Sequence, residues 1–261
     1  MLHSLYYFFA QSKYNLKNAH ALSGSFWVGV LSMILNNFTF FIIWFLFMQA
    51  TGPINGWTSI DVFGMLGVSI TAFGFTHAFF RGVVDLPELV TKGTFDGVLV
   101  SPVNTFLKIG GSSFSVTAYG DLLQGAVVAF LYGVFSRFDL YTWILYIVAI
   151  ILGCIVFLCL RLLCSLVVFF VHDGEIISNQ LFEIFIRPGL YPGAIFPNKM
   201  KIFFMTVVPA LLTSATPIYI IKSHSIFLVL FGFSMTVVWV GITYLVYSLA
   251  VRRYESGNYL R

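Results

Sequence analysis

Residues 26–50 carry no charged side chain, and the centre of this run, Phe38-Thr39-Phe40-Phe41-Ile42-Ile43-Trp44-Phe45, is aromatic and aliphatic almost throughout. A helix needs ~20 such residues to cross ~30 Å of hydrocarbon. In the bilayer core no water pairs with the backbone, so a run of this kind is confined to a helix. Comparable runs follow at about 60–80, 105–135, 140–171 and 226–250. Charged residues make up only 9% of the chain, against about 25% in soluble domains. A soluble globular fold is thereby excluded. At ~20 residues per crossing, the 261 residues accommodate five to six spans with short loops and no separate soluble domain.

The net charge of +4 comes from basic residues scattered singly, without the patch that follows a phosphate backbone. Nucleic acid is therefore not an expected partner. The basic residues mark topology, because Lys and Arg beside spans stay in the cytoplasm. Lys13 and Lys17 put the N-terminus inside, and Arg252 and Arg253 put the C-terminus inside. An even number of crossings follows, and six fits. Leu2, Leu5, Tyr6 and Phe9 recur at i, i+3, i+4, i+7 on one helical face. With no basic n-region before them, residues 2–17 read as an interfacial helix on the cytoplasmic leaflet.

Residues 51–59 contain Pro53, Asn55 and Gly56 and form a turn. Residues 81–104 are the most polar internal segment, with Arg81, Asp85, Glu88, Lys92 and Asp96. A short helix over 86–92 is expected there, with Pro87 in its first turn and Gly93 as its stop. The span over 105–135 is polar in its first half. Its neighbour over 140–171 exceeds the bilayer thickness and is expected to tilt or project. His172 to Glu175 is a polar break.

Residues 175–222 admit two topologies. In one, 176–196 is the fifth span and 202–221, interrupted by Pro209 and Pro217, is a re-entrant hairpin. In the other, which plain hydropathy prefers, 202–221 crosses and 173–201 is cytoplasmic. Gly189 and Gly193 form a G-x-x-x-G pair, but the interleaved Pro188 and Pro192 favour a bend.

No G-x-x-x-x-G-K-[ST], H-E-x-x-H or G-x-S-x-G pattern occurs. His77, His172 and His224 are far apart in sequence. Cys154, Cys159 and Cys164 recur every five residues and share no helical face, so they read as buried small apolar residues rather than metal ligands. Ionisable residues in apolar surroundings are costly and so informative. Asp121 falls inside the third span and Arg161 in the fourth. Glu183 and Arg187, at i, i+4, can neutralise each other as an intramembrane ion pair or lie on a translocation path with Asp121.

The segment Gly93-Thr94-Phe95-Asp96-Gly97-Val98-Leu99-Val100-Ser101-Pro102 resembles the stretch after the second span in type-2 permeases of ATP-binding-cassette exporters. Those carry a G-[ST]-hydrophobic-[DE] step, then a Leu and a Ser-Pro pair before the third span. Tyr191-Pro192 to Phe196-Pro197, followed by Pro209 and Pro217, is similar to the proline-rich region before the last span of that family. The likeness extends over nearly the whole chain.

The resemblance implies one all-α integral membrane permease domain over 1–261, with an N-terminal interfacial helix, six transmembrane helices and a re-entrant helical hairpin before the last span. The first topology above is then preferred. It implies a coupling helix at about 84–92 that seats in a separate ATPase subunit, with Asp85, Leu86, Pro87, Glu88, Leu89, Lys92, Gly93 and Asp96 as the coupling residues. It implies a dimer, with itself or with a related chain, and a translocation path between the two copies. ATP would act on the partner subunit, and this chain would hold no cofactor and no catalytic residue. The expected location is the cytoplasmic (inner) membrane of a bacterium. An ion-coupled secondary carrier is the main alternative, kept open by Asp121, Glu183 and Arg187. A membrane-embedded lipid-modifying enzyme is a weaker one, since no nucleophile or metal set is nominated.

Overall fold

The computed structural model describes residues 2–21, 23–171 and 173–254. His172 and Arg261 lie outside them, as do the side chains of Leu2 and Leu5. The described residues form helices joined by short turns, with no β-strand among them. Five helices are long and apolar enough to cross a membrane. They are α2 (Ser23–Thr51), α3 (Ser59–Phe79), α7 (Val116–Phe135), α8 (Leu140–Ser165) and α12 (Ile226–Arg253). Between and around them lie α1 (Leu2–Ala21), α4 (Arg81–Thr91), α5 (Asp96–Leu99), α6 (Thr105–Gly111), α9 (Gly174–Ile186), α10 (Asn198–Thr206) and α11 (Ala215–Ser223).

The core is built on α3, α7 and α8. A Cβ added to Gly74 of α3 would lie 2.3 Å from the Leu122 backbone nitrogen, and one on Gly125 of α7 would lie 2.4 Å from that of Thr71. Only glycine permits backbones to approach this closely, as at helix crossings in membranes. The helix α8 packs on α3, α4, α9, α11 and α12. By contrast, α2 and α12 leave large apolar side chains such as Leu35, Ile43, Phe45, Phe233 and Val237 exposed. Such surfaces suit hydrocarbon rather than water.

Local chemistry fixes several helix starts. Thr58 and Asp61 form a reciprocal capping box at α3, and Asp139 accepts from the Thr142 N–H to cap α8. These side chains satisfy amides that have no intrahelical partner.

Two expectations are corrected, a continuous third span and a single helix over 176–196. The third span is not continuous over 105–135: α6 ends at Gly111, and α7 begins only at Val116. Ser112, Ser113 and Ser115 lie in the break, where hydroxyl side chains compete for backbone groups. Neither 176–196 nor 202–221 is one helix. The first consists of α9 and two 3₁₀ turns, Arg187–Leu190 and Gly193–Ile195. In the second, α10 and α11 flank a 3₁₀ turn at Leu211–Thr213. Proline removes a backbone donor, and helices break around Pro188 and Pro209 accordingly. The broken segment is buried: Ala210, Leu211, Thr213, Ser214, Ala215 and Ile218 are all fully covered. Gly189 abuts the Ala210 carbonyl and Gly193 abuts the Tyr219 ring, so the glycine pair serves both the bend and close packing.

In α1, Tyr6 and Phe9 of the expected apolar face are turned outward, 75% and 68% exposed. The helix is anchored through other residues. Phe8 stacks on Phe80, Ser4 Oγ accepts from the Asn104 N–H, and Asn15 donates to the Gly111 carbonyl.

Candidate functional site

The helix α4 starts at Arg81, five residues before its expected beginning, so Pro87 lies in its interior rather than its first turn. The earlier start depends on Gly82: a Cβ there would lie 1.8 Å from the Ile109 carbonyl oxygen of α6. No other residue admits that approach. Pro87 leaves the Val83 carbonyl without its usual i+4 donor. Gly93 ends the helix as expected, with a φ of +68° and its N–H donating to the Val90 carbonyl at 3.1 Å. This is the left-handed conformation that glycine adopts without strain.

One face of α4 is locked into the protein. Val83, Leu86 and Val90 are fully buried in a cluster with Ile109, Leu162, Leu166 and Val168. Leu86 and Pro87 are therefore packing residues. Asp85 is also turned inward, accepting from Arg81 Nε at 3.1 Å and from Ser113 Oγ at 2.5 Å. Arg161 of α8, 2% exposed, donates through Nη2 to the Val84 carbonyl at 3.2 Å and to Asn179 Oδ1 of α9 at 2.8 Å.

The other face is open. Glu88, Lys92 and Gly93 are exposed and Leu89 is half-buried. Glu88 and Lys92 form an i, i+4 ion pair. The hydrogen-bonded Lys92 ammonium holds the Glu88 carboxyl below its ordinary range, and Glu88 raises Lys92 in turn. Asp96 opens α5 and is partly buried. Just before it, Phe95 is fully buried, with its ring against Phe169 and Tyr254. Of the expected coupling residues, Glu88, Leu89, Lys92 and Gly93 are thus the ones on the open face.

The three intramembrane candidates do not converge. Asp121 is buried in α7, where Asn37 Nδ2 of α2 donates to its Oδ1 at 2.6 Å. Asn37 also donates to Gln124, while Asp121 Oδ2 is buried without a hydrogen-bond partner. Glu183 and Arg187 are both exposed. Among the described residues the ion pairs are Arg81–Asp85, Lys92–Glu88 and Lys222–Asp61. The expected Glu183–Arg187 pair is absent from them. Arg187 opens a 3₁₀ turn, so it does not continue the α-helical face that carries Glu183.

Several polar links were not anticipated. Asn37, Ser113 and Asn179 act as partners across 84, 28 and 18 residues of sequence, and no local pattern marks such pairings. The Asp61 cap had a signal, an acidic residue three after Thr58. Its further bonds, from Lys222 at 2.7 Å and Tyr132 at 3.1 Å, had none. Among the described residues no group of three or more His, Cys, Asp or Glu side chains is arranged to hold a metal. Cys154, Cys159 and Cys164 are buried thiols.

Comparison with curated proteins and with solved structures finds no match. A family model does match, over residues 34–257, and it is that of the ABC-2 family transporter proteins. The matched region runs from α2 through α12 and includes α4 with both its buried and open faces. With its apolar helices and this match over most of its length, the chain belongs to the ABC-2 family of membrane transport permeases.

Proposed function

We propose that the chain is the permease subunit of an ATP-driven exporter, working as a dimer with itself or a related chain and moved by separate ATPase subunits. The observation that carries this reading is α4. One face is fixed to the body by Val83, Leu86, Val90 and the Arg161 bond, while the opposite face presents Glu88, Leu89 and Lys92. An element that transmits force from a partner needs both properties. Contact with the partner and rigid attachment to the spans must sit on the same short helix. Charged groups on the open face set register with a partner. ATP is hydrolysed on that partner, and this chain contributes no catalytic group.

The topology that goes with this reading has six crossings. The N- and C-termini and α4 are cytoplasmic, in agreement with Lys13, Lys17, Arg81, Lys92, Arg252 and Arg253. The fifth crossing, added to the five long helices, is α9 with its 3₁₀ turns. The 13 residues of α9 rise only about 20 Å, short of ~30 Å of hydrocarbon, and the turns to Ile195 extend it. The α10–α11 segment is then a re-entrant hairpin, since broken helices are tolerated at membrane depth where protein buries them. Tyr6 and Phe9 of α1 point into the lipid interface of the bacterial inner membrane.

The test is co-purification. Isolated in detergent with its genetic neighbours, the chain should bring down an ATPase subunit, and the complex should hydrolyse ATP. A chain purifying without an ATPase would overturn the proposal. One observation favours an ion-coupled carrier instead: the unpartnered Oδ2 of Asp121 inside α7, a feature of midplane sites. That reading requires uptake or efflux by the chain alone in vesicles under an ion gradient, abolished by Asp121→Asn.

A further inference from the structure

We infer that Arg161 is the positioning residue through which displacement of α4 reaches α9, an inference that rests on the reading of α4 as the coupling helix. Arg161 is among the largest fully buried side chains in the protein. It joins three elements. It originates on α8, donates to the Val84 carbonyl of α4 at 3.2 Å and to Asn179 Oδ1 of α9 at 2.8 Å, and lies over the Phe182 ring of α9 at 4.9 Å.

The environment is unfavourable for a cation kept only for stability. Among the described residues Arg161 has no carboxylate in ion-pair range, and its Nε is buried without a partner. Leu160, Leu162, Cys164 and Phe157 around it are themselves buried. An apolar side chain of similar volume generally packs such a site at least as stably as an incompletely satisfied charge. What an apolar side chain lacks is the fork. A guanidinium is planar and rigid and presents donors in fixed relative directions. Here a single nitrogen, Nη2, serves both partners, so their separation is set by one atom.

The choice of acceptor on α4 matters. Arg161 bonds to a backbone carbonyl, which follows the helix itself rather than a mobile side chain. Val84 lies one turn before Glu88, the exposed charge on the partner-facing strip. A push on Glu88 and Leu89 moves the Val84 carbonyl as part of the same helix. Arg161 must then follow it, carrying Asn179 and Phe182, or lose a charged hydrogen bond. α4 also packs directly on α9, but a second polar tether of α4, Asp85 to Ser113, leads to the α6–α7 break. The Arg161 link is thus the hydrogen-bonded route from α4 to α9, beside their apolar packing.

The test uses the complete complex with its ATPase subunit, on a background with Cys154, Cys159 and Cys164 replaced by alanine. Spin labels are placed at Thr91 on α4 and at Gln180 on α9, each paired with a reference label at Ser136. Labelled chain is diluted into unlabelled chain so that distances fall within one copy. In the wild type, ATP with vanadate should shift both distances. In Arg161→Met and in the double variant Asn179→Leu with Phe182→Leu, the Thr91 distance should still shift and ATP should still be hydrolysed, while the Gln180 shift falls well below its wild-type value. Arg161→Lys, which keeps the charge but not the fork, should recover part of the Gln180 shift. A purely structural role would lower stability without separating the two distances. If Arg161→Met fails to fold, the Asn179→Leu, Phe182→Leu double variant still decides the matter, because it leaves Arg161 on Val84 and removes both of its contacts to α9. A wild-type shift at Gln180 in the foldable variants overturns the inference alone. Failure of the Thr91 distance to respond in the wild type overturns the coupling reading, and this inference with it.

Discussion

Lys222 Nζ lies 2.7 Å from Asp61 Oδ2, joining the end of α11 to the first turn of α3. Asp61 is the better connected of the two. It also accepts from Tyr132 and completes the capping box with Thr58, and its side chain is 9% exposed against 34% for Lys222. Asp61→Ala should therefore destabilise the protein by about 2–4 kcal/mol, combining a lost cap with unpaired buried donors. Lys222→Met should cost about 1 kcal/mol or less, as for a partly exposed pair. The check is the temperature at which detergent-solubilised protein leaves its monodisperse peak. The reverse order of the two variants would contradict this account.

The approach of Gly82 to Ile109 gives a sharper contrast. Gly82→Ala places a methyl group where the Ile109 carbonyl stands, and overpacking of this kind costs about 1–3 kcal/mol or more. Gly97→Ala, with nothing within 4 Å of the added carbon, should be silent. Membrane yield and thermal stability of the two variants, side by side, provide the measurement. Equal behaviour would mean that α4 does not seat on α6 as described.

On the open face of α4, Glu88→Lys or Leu89→Asp should weaken ATPase docking while the spans insert normally. Loss of one buried charged contact costs about 2–5 kcal/mol, a roughly thirtyfold or greater drop in affinity. The exchange Glu88→Lys with Lys92→Glu separates two causes. It keeps an i, i+4 pair but reverses the charges shown to a partner. Docking that stays weak in the exchange variant identifies the contact as intermolecular, and full recovery would assign the effect to helix stability alone.

The Glu88–Lys92 pair also has a defined pH window. Because Lys92 lowers the Glu88 pKa beneath its ordinary 4.5, the contribution of Glu88 is present above that value and disappears as pH falls through the depressed one. Lys92, raised above 10.5, contributes fully below that pH and loses its part as pH rises through the elevated value. Carbon-13 shifts of a labelled Glu88 carboxyl, followed in the intact protein, should titrate below pH 4.5 and move upward in Lys92→Met. No upward movement would mean the pair does not form in solution.

For the hairpin, cysteine introduced at Asn198 should react with an impermeant maleimide from outside intact cells. Cysteine at Thr91 should react only after permeabilisation. Labelling at 198 only from the cytoplasm would restore a simple crossing by 202–221.

The long apolar helices were legible because bilayer thickness dictates both length and composition. Gly93 was legible as a stop because few residues other than glycine adopt its backbone conformation readily. The start of α4 was hidden, since Gly82 matters through a carbonyl 27 residues away. The three serines of 112–115 did signal the break before α7, but the surrounding apolar pattern outweighed them. Asp121 and Arg161 stood out as ionisable residues in apolar runs. Their partners, Asn37, Asn179 and the Val84 carbonyl, come from other helices, and helix periodicity carries no information about which helices meet. Asp85 is expected at a partner surface from the resemblance and its charge, and its bond from Ser113, 28 residues on, has no local pattern to signal it.

Gly74 and Gly125 sit on opposite helices, Gly74 receiving the backbone of Leu122 and Gly125 that of Thr71 where a side chain would stand. Notches facing in both directions work as a keyed joint. Sliding α3 along α7 by even one residue would drive a side chain into peptide atoms. The two helices must therefore travel as one lever, and any alternation between inward and outward states has to be made by hinging the remaining helices around this fixed beam.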